Sequence, residues 1–224
     1  MHFSLADLAA DITQNSAESG ASLVGLEIRE TVAPGVPAKG EFRFIAGDNG
    51  KGMSGAGLDR AMDPFVTDGV KHPGRKVGLG LPFLIQTAVQ SGGGWRISSA
   101  TAGGERAIRS GGGAPADGVS AAGIDASGTD TAGASGTTAE AWFDLANVDT
   151  PPVGDIPGLF RTVLLFSGPQ EIVLKRSRKG GNAELDYEVK KTELTEALGG
   201  DLEDVSSLVL LGKYLRSLEG FEEE

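Results

Sequence analysis

The chain has 224 residues, 39% of them hydrophobic, and a formal net charge of −11. A chain this acidic binds nucleic acid or an anionic membrane surface poorly in general. Neither is therefore expected as a partner. The absence of cysteine excludes disulfides and thiolate chemistry, and two histidines are too few for a multi-histidine metal site.

The first predicted element is a helix over residues 4–19, which Gly20 ends as a C-cap. Ser4 and Asp7 have the spacing of a capping box. One face carries an apolar stripe made of Leu5, Leu8, Ala9 and Ile12. Another carries a polar stripe at steps of four and three, made of Asp7, Asp11, Asn15 and Glu18. A solvated helix face would explain the polar stripe, so the pattern alone does not assign it a function.

Two strand-like runs follow at residues 23–30 and 40–46, and they predict a hairpin. Asp48 comes at the end of the second run, where a buried carboxylate needs a hydrogen-bonding partner. Gly50 and Gly52 come next, and glycine lets a backbone approach a ligand closely or adopt positive φ. Asp-Asn-Gly is also a common turn that needs no ligand, so both interpretations remain open here.

A basic loop precedes the next helix. Residues 68–76 are the most concentrated positive stretch in the first half of the chain, and they lead through Gly78 and Gly80 into an apolar helix at residues 82–90. The N-terminus of a helix exposes unpaired N–H groups and partial positive charge, which favour phosphate. Shorter elements before the loop are a helix at 53–62 and an extended or turn segment at 63–67.

Strands are also predicted at residues 95–99 and 140–145. Between them, residues 103–138 consist mainly of Gly, Ala, Ser, Thr and Asp, with almost no large apolar side chains. Such a composition cannot bury enough surface to offset the entropy of ordering. We therefore expect a disordered low-complexity insertion at the tip of a hairpin, without assigned chemistry.

The proline-rich stretch at 149–154 predicts a boundary between residues 1–150 and a small α/β extension at 151–224. In the extension, apolar β-rich runs at 161–166 and 171–175 predict a second hairpin. The remaining predicted elements are a strand at 185–189 and helices at 192–198 and 205–219. The apolar face expected for the last helix consists of Val205, Leu208, Val209, Leu211 and Leu215.

Four short motifs occur in a fixed order: residues 11–22, 48–53, 63–67 and 77–81. Together they resemble the N, G1, F and G2 boxes of the GHKL superfamily of ATP-binding domains, which includes gyrase, MutL proteins, histidine kinases and anti-sigma-factor kinases. The first motif is most similar to the MutL-type box. The resemblance implies an α+β fold, a two-layer α/β sandwich of the histidine-kinase-like ATPase type (the Bergerat fold), over residues 1–150.

The resemblance also implies ATP and Mg²⁺ as cofactors. Asn15 would coordinate the Mg²⁺ that bridges the phosphates, and Asp48 would accept a hydrogen bond from the adenine amino group. Gly50 and Gly52 would let the backbone lie against the base. The other implied cofactor-binding residues are Met53, Lys76, Gly78, Leu79 and Gly80, with Lys76 as the phosphate contact.

Two departures from the family pattern bear on activity. Members that hydrolyse ATP carry a glutamate four residues before the N-box asparagine, and here that position is Asp11, the implied catalytic residue. Its side chain is one methylene shorter, and a shift of about 1 Å can reduce a rate about 10²-fold. Val77 replaces the threonine usual in histidine kinases, which removes a hydroxyl donor to phosphate.

The expected function is an ATP-dependent regulatory switch, in which Mg–ATP orders residues 68–76 and changes the surface shown to a partner protein. The alternatives are a protein kinase of the anti-sigma-factor type and slow Mg-dependent ATP hydrolysis through Asp11, so whether the chain is an enzyme stays open. A degenerate fold that binds no nucleotide is the fourth hypothesis. A soluble cytoplasmic protein is expected, because no signal peptide or membrane-length apolar run is present.

Overall fold

The protein is built on one mixed β-sheet. A computed structural model describes residues 4–33, 36–65, 80–116, 135–180 and 184–221. The strands are β1 Leu23–Ala33, β2 Val36–Asp48, β3 Gly94–Ala100, β4 Arg106–Gly112, β5 Gly136–Asp144, β6 Glu171–Lys179 and β7 Leu185–Lys190. The helices are α1 Leu5–Ala17, α2 Gly55–Met62, α3 Gly80–Gln90, α4 Ile156–Leu164, α5 Lys191–Ala197 and α6 Val205–Leu218.

The strand order across the sheet is β4-β3-β5-β2-β1-β6-β7. The pairs are antiparallel except β1 with β6, which run parallel. The hairpin predicted from the alternating runs is β1–β2, with Val24 opposite Asp48. The predicted α+β class is therefore confirmed. No helix among the described residues is long and apolar enough to cross a bilayer.

Helices α1, α3 and α4 cover one face of this sheet. Successive strand side chains alternate between faces, so Phe42, Phe44 and Ala46 of β2 all point toward the helices, and Asp48 follows on the same face. The stripe predicted for α1 is buried against them, and Ser4 caps that helix by accepting the Asp7 N–H at 3.1 Å. This packing places the end of α1 directly over the end of β2.

Strand β4 and the first residues of β5 lie inside the stretch predicted to be a disordered insertion, so that prediction was wrong for residues 106–112 and 136–138. Strand β4 is ordered by backbone pairing with β3 rather than by apolar burial. Ala107 is the one buried side chain among residues 103–116. Residues 117–134 lie outside the described ranges.

After β4 the chain crosses the sheet face opposite the helices. The Trp142 indole donates to the Gly113 carbonyl at 3.1 Å, and the Ala116 N–H donates to Glu41 Oε2 at 2.6 Å. Because Trp142 belongs to β5 and Glu41 to β2, residues 113–116 lie against these two strands on that face.

The second predicted hairpin was wrong, because residues 156–164 form helix α4. Asp155 caps it by accepting the Gly158 N–H at 3.0 Å, and Pro157 occupies its first turn. Its buried side chains follow helical spacing: Ile156, Pro157, Leu159, Phe160, Val163 and Leu164. Strand β6 pairs with β1 and β7 instead.

The segment after residue 150 adds β6 and β7 to the same sheet and shares one core cluster with the first part. The division at residue 150 stays a prediction. The apolar face expected for α6 was partly wrong, because Val205 and Val209 are exposed whereas Ser207, Leu211 and Leu215 are buried. The buried residues of α6 are spaced by four, the helix packs against α4, and its C-cap, Glu219, accepts hydrogen bonds from Arg176 and Tyr187.

Candidate functional site

Three polar side chains form a row where the core reaches the end of the sheet. Asp48 lies opposite Thr137 of β5, and Thr137 lies opposite Ser99 of β3. Directly opposed residues share a face, so all three point to the helical side. The Ser99 and Thr137 hydroxyl oxygens are 2.8 Å apart, and Ser99 is buried. We call Asp48, Thr137 and Ser99 the floor row.

Asp48 is only 5% exposed, and its partners are neutral donors. Its Oδ1 accepts the Ser19 hydroxyl at 3.1 Å and the Gly50 N–H at 2.9 Å. Burial raises the pKa of Asp48, and the Gly50 N–H, the Ser16 and Ser19 hydroxyls and the Thr137 backbone offset part of that rise. Among the described residues no lysine or arginine pairs with it.

The turn after Asp48 is fixed by its own contacts. Asn49 Oδ1 accepts the N–H groups of Ser22 at 3.0 Å and Leu23 at 2.9 Å, which ties the turn to the start of β1. Gly52 has φ +64°, and a Cβ there would lie 1.8 Å from the Ala100 carbonyl oxygen. The turn interpretation therefore holds for Asn49 and Gly52, because the contacts of Asn49 and the positive φ of Gly52 explain these residues without a ligand.

Gly50 and Met53 connect this turn to the floor row. A Cβ at Gly50 would lie 2.1 Å from the Ser19 hydroxyl oxygen, so only glycine allows Ser19 to reach Asp48. The Met53 N–H donates to Ser99 Oγ at 2.8 Å. The segment predicted to approach a nucleotide is thus held against the floor row at both ends.

The polar stripe of α1 meets the start of α3. A Cβ at Gly80, the first residue of α3, would lie 3.0 Å from Asp11 Oδ2 and 3.1 Å from Asn15 Nδ2. Asn15 is exposed and Asp11 half-buried. The structure therefore brings Asp11, Asn15 and Gly80 together, and the missing side chain at Gly80 leaves their polar groups beside the α3 N-terminus.

Three of the predicted site residues, Lys76, Gly78 and Leu79, lie outside the described residues, as does the basic loop at 68–76. Their roles stay predictions. No cluster of three or more histidine, aspartate or glutamate side chains suited to a metal occurs in the described ranges. Asp11 and Asn15 supply carboxylate and amide oxygens, a set that fits Mg²⁺ when phosphate and water complete its octahedron.

Sequence reasoning missed Ser19, Ser99 and Thr137. Thr137 fell in the stretch set aside as low complexity, although two consecutive threonines before a strand are a β-signal. Ser99 and Ser19 are unremarkable in sequence, because only strand register and the end of α1 bring them to Asp48.

No family model matches the chain, and no curated protein matches it. The solved structures similar to this chain include the two that follow. The N-terminal domain of a DNA repair protein shares 13% identity over 82% of this chain and 52% of that one, with a TM-score of 0.45. The Aquifex aeolicus MutL ATPase domain complexed with ADP shares 14% identity over 83% of this chain and 64% of that one, with a TM-score of 0.40.

This chain therefore spans between about half and two thirds of those structures. MutL is one of the members of the superfamily that the four sequence motifs resemble. At such low identity and TM-scores the similarities carry no argument about ligand or activity.

Proposed function

We propose that the chain binds Mg–ATP between the floor row and the α1–α3 contact, and acts as an ATP-dependent regulatory switch on a partner protein. The observation that carries the proposal is the convergence of three segments distant in sequence. Asp48 lies beneath the end of α1, while Asp11 and Asn15 of the same helix lie beside Gly80. A buried acceptor and a helix N-terminus suit the two ends of a nucleotide.

Asp48 would recognise the base. Its carboxylate is buried among neutral donors and retains acceptor capacity for an exocyclic amino group. Guanine presents a carbonyl at the equivalent position, which would leave the carboxylate facing another acceptor. Since a hydrogen bond to a charged group contributes about 1.5–3 kcal/mol, we expect ATP to be favoured over GTP by about 10- to 100-fold.

Asn15 and Asp11 would face the phosphates and Mg²⁺. The two side chains lie one helical turn apart and both border Gly80. The first N–H groups of α3 add partial positive charge there, which matters in a chain of net charge −11. Bound Mg²⁺ would supply charge neutralisation at the phosphates, and the protein residues would orient them.

Nucleotide titration tests the binding proposal directly. We expect measurable heat with Mg–ATP and at least about tenfold weaker binding of Mg–GTP. Equal affinity for the two nucleotides, or no heat with either, would contradict it.

Slow hydrolysis is the second candidate function, favoured by the position of Asp11 beside Asn15 and Gly80. If Asp11 orients or deprotonates water, Asp11→Asn should abolish phosphate release. Asp7→Asn is the matched control, since Asp7 lies one turn earlier on α1 and pairs with Ser4. Equal rates of phosphate release in the wild type and Asp11→Asn would show that Asp11 takes no part in hydrolysis.

The switch and kinase hypotheses differ in what happens to the γ-phosphate. A pull-down with and without Mg–ATP, using ATP labelled at the γ-position, separates them. A partner retained only with ATP and carrying no label supports the switch. Label transferred to the partner would replace the switch with the kinase, and a partner unaffected by ATP would contradict both.

A further inference from the structure

Ser19 connects the end of α1 to the carboxylate of Asp48. It follows the α1 C-cap, Glu18, and its N–H donates to the Ser16 carbonyl at 3.2 Å. Gly20, next in sequence, has φ +81° and turns the chain toward β1. With its backbone fixed on both sides, Ser19 directs its hydroxyl to Asp48 Oδ1 at 3.1 Å.

The same carboxylate oxygen receives the Gly50 N–H at 2.9 Å. Gly50 is packed so closely on Ser19 that an added Cβ would lie 2.1 Å from the hydroxyl oxygen and 2.8 Å from Ser19 Cβ. Ser19, Gly50 and Asp48 therefore form one interlocked unit. The Ser19 and Gly50 hydrogen bonds both fall on Oδ1, so Oδ2 is the oxygen that we assign to a ligand.

Resting on the proposed function, we propose that Ser19 is a positioning residue for the nucleotide base: its hydroxyl donates to Oδ1 of Asp48 and so orients Oδ2 toward the ligand's amino group. The surroundings of Asp48 explain why its carboxylate needs a hydrogen-bond donor such as Ser19. Burial disfavours its charged form, and no described cation compensates, so neutral donors must stabilise the anion. The Ser16 and Ser19 hydroxyls are the side-chain donors that do so, and Ser19 makes the 3.1 Å hydrogen bond to Oδ1.

Ser22 offers a matched comparison in the same connection. Its hydroxyl accepts from Asn49 Nδ2 at 2.9 Å, so it supports the turn without touching the carboxylate. If Ser19 only stabilised the turn, Ser19→Ala and Ser22→Ala would have similar effects. A role through Asp48 predicts that Ser19→Ala alone alters the titration of that carboxylate.

The test is carried out on the full chain in two parts. Carboxyl NMR without nucleotide follows the pKa of Asp48 in the wild type, Ser19→Ala, Ser19→Thr and Ser22→Ala. Titration with Mg–ATP then measures affinity as a function of pH. We expect Ser19→Ala to raise the pKa of Asp48 and to weaken ATP binding about tenfold, most strongly on the acid side. Ser22→Ala and Ser19→Thr should stay near wild type.

The outcomes separate the two proposals. An unchanged Asp48 pKa and an unchanged pH profile in Ser19→Ala would overturn the role of Ser19, even where the wild type binds ATP. An equal loss of affinity for Mg–ATP in Ser19→Thr and Ser19→Ala would also contradict that role. A raised pKa in Ser19→Ala together with no ATP binding by the wild type would overturn the proposed function, and the nucleotide role of Ser19 with it, while leaving the Ser19–Asp48 coupling intact.

Discussion

Two clusters of buried charge lie near opposite ends of β1, about 20 Å apart along the strand, and they are satisfied in different ways. Beside Val24, the Asp48 carboxylate receives neutral donors. Toward the other end, Arg176 donates to Glu30 Oε2 at 2.6 Å and to Glu219 Oε1 at 3.1 Å. The second cluster thus contains a cation for its anions, and the first does not.

The Arg176 cluster also fixes α6 to the sheet. The Tyr187 hydroxyl donates to Glu219 Oε1 at 2.7 Å, and Phe160 of α4 packs edge-on against the Tyr187 ring at 6.1 Å. Burial and the neighbouring Glu219 raise the pKa of Tyr187. Every group has a partner inside the protein, so this cluster is sufficient without a ligand.

The difference supports the proposal that Asp48, and not the Arg176 cluster, contacts a ligand. A buried ion pair holds the fold, and removing one partner leaves an uncompensated charge. A buried carboxylate supported only by neutral donors keeps a raised pKa and can still accept a hydrogen bond. Changes in the Arg176 cluster should therefore reduce stability, while changes around Asp48 should mainly reduce ligand binding.

The largest effect on stability is expected from Arg176→Ala. It would leave Glu219 without its cation and Glu30 with only the 3.7 Å contact to Arg178, which should lower the free energy of unfolding by about 3–5 kcal/mol in chemical denaturation. Lys175→Ala is the neighbouring control. Its pair with Glu188 is partly exposed, so a loss below about 1 kcal/mol is expected. Similar losses of unfolding free energy in Arg176→Ala and Lys175→Ala would contradict the claim that the buried ion pairs stabilise the fold more than the surface pair.

Gly50→Ala should have an intermediate effect and should disturb both stability and binding. The added methyl group would displace Ser19 from Asp48, with a loss of about 1–3 kcal/mol in the free energy of unfolding. Gly103→Ala, where the nearest atom lies at an ordinary 3.7 Å, should change stability by about 0.5 kcal/mol or less. A Gly50→Ala protein as stable as wild type would show that Ser19 is not held where we describe it.

The smallest stability effect is expected from Asp48→Asn, and its sign is opposite. Because the pKa of Asp48 is raised above 3.8, the folded protein binds this proton more tightly than the unfolded chain. The contribution of Asp48 to stability therefore falls as the pH rises above 3.8 through the folded-state pKa.

Asp48→Asn should remove that decline and leave stability at neutral pH equal to or slightly above wild type. Unfolding free energies of both proteins across this pH range provide the check. A wild type that gains stability from Asp48 as the pH rises would mean that the carboxylate is compensated by a charge, as in the Arg176 cluster.

The sequence predicted the parts of the site that depend on local pattern. Strand alternation placed Asp48 at a buried strand end, and i, i+4 spacing placed Asp11 beside Asn15. The sequence did not predict Thr137 and Ser99 as site residues, because they reach Asp48 only through the register of neighbouring strands.

The errors in the fold have local causes as well. Residues 161–166 resemble a strand when considered alone, and the helix follows only when Asp155 and Pro157 are included as its start. Strand β4 has too few apolar side chains to be recognised, because its order comes from backbone pairing. The buried face of α6 includes Ser207, Leu211 and Leu215, and its choice depends on packing against α4, which the apolar pattern of the helix alone does not specify.

Calorimetric titration of Mg–ATP into the wild type, Asp48→Asn and Asp186→Asn tests the central claim most directly. Asp186 is an exposed acid on β7 and serves as the charge-matched control. We predict similar heats and affinities for the wild type and Asp186→Asn, and at least about tenfold weaker binding for Asp48→Asn with its fold intact. Undiminished affinity in Asp48→Asn, or no binding by the wild type, would contradict the account.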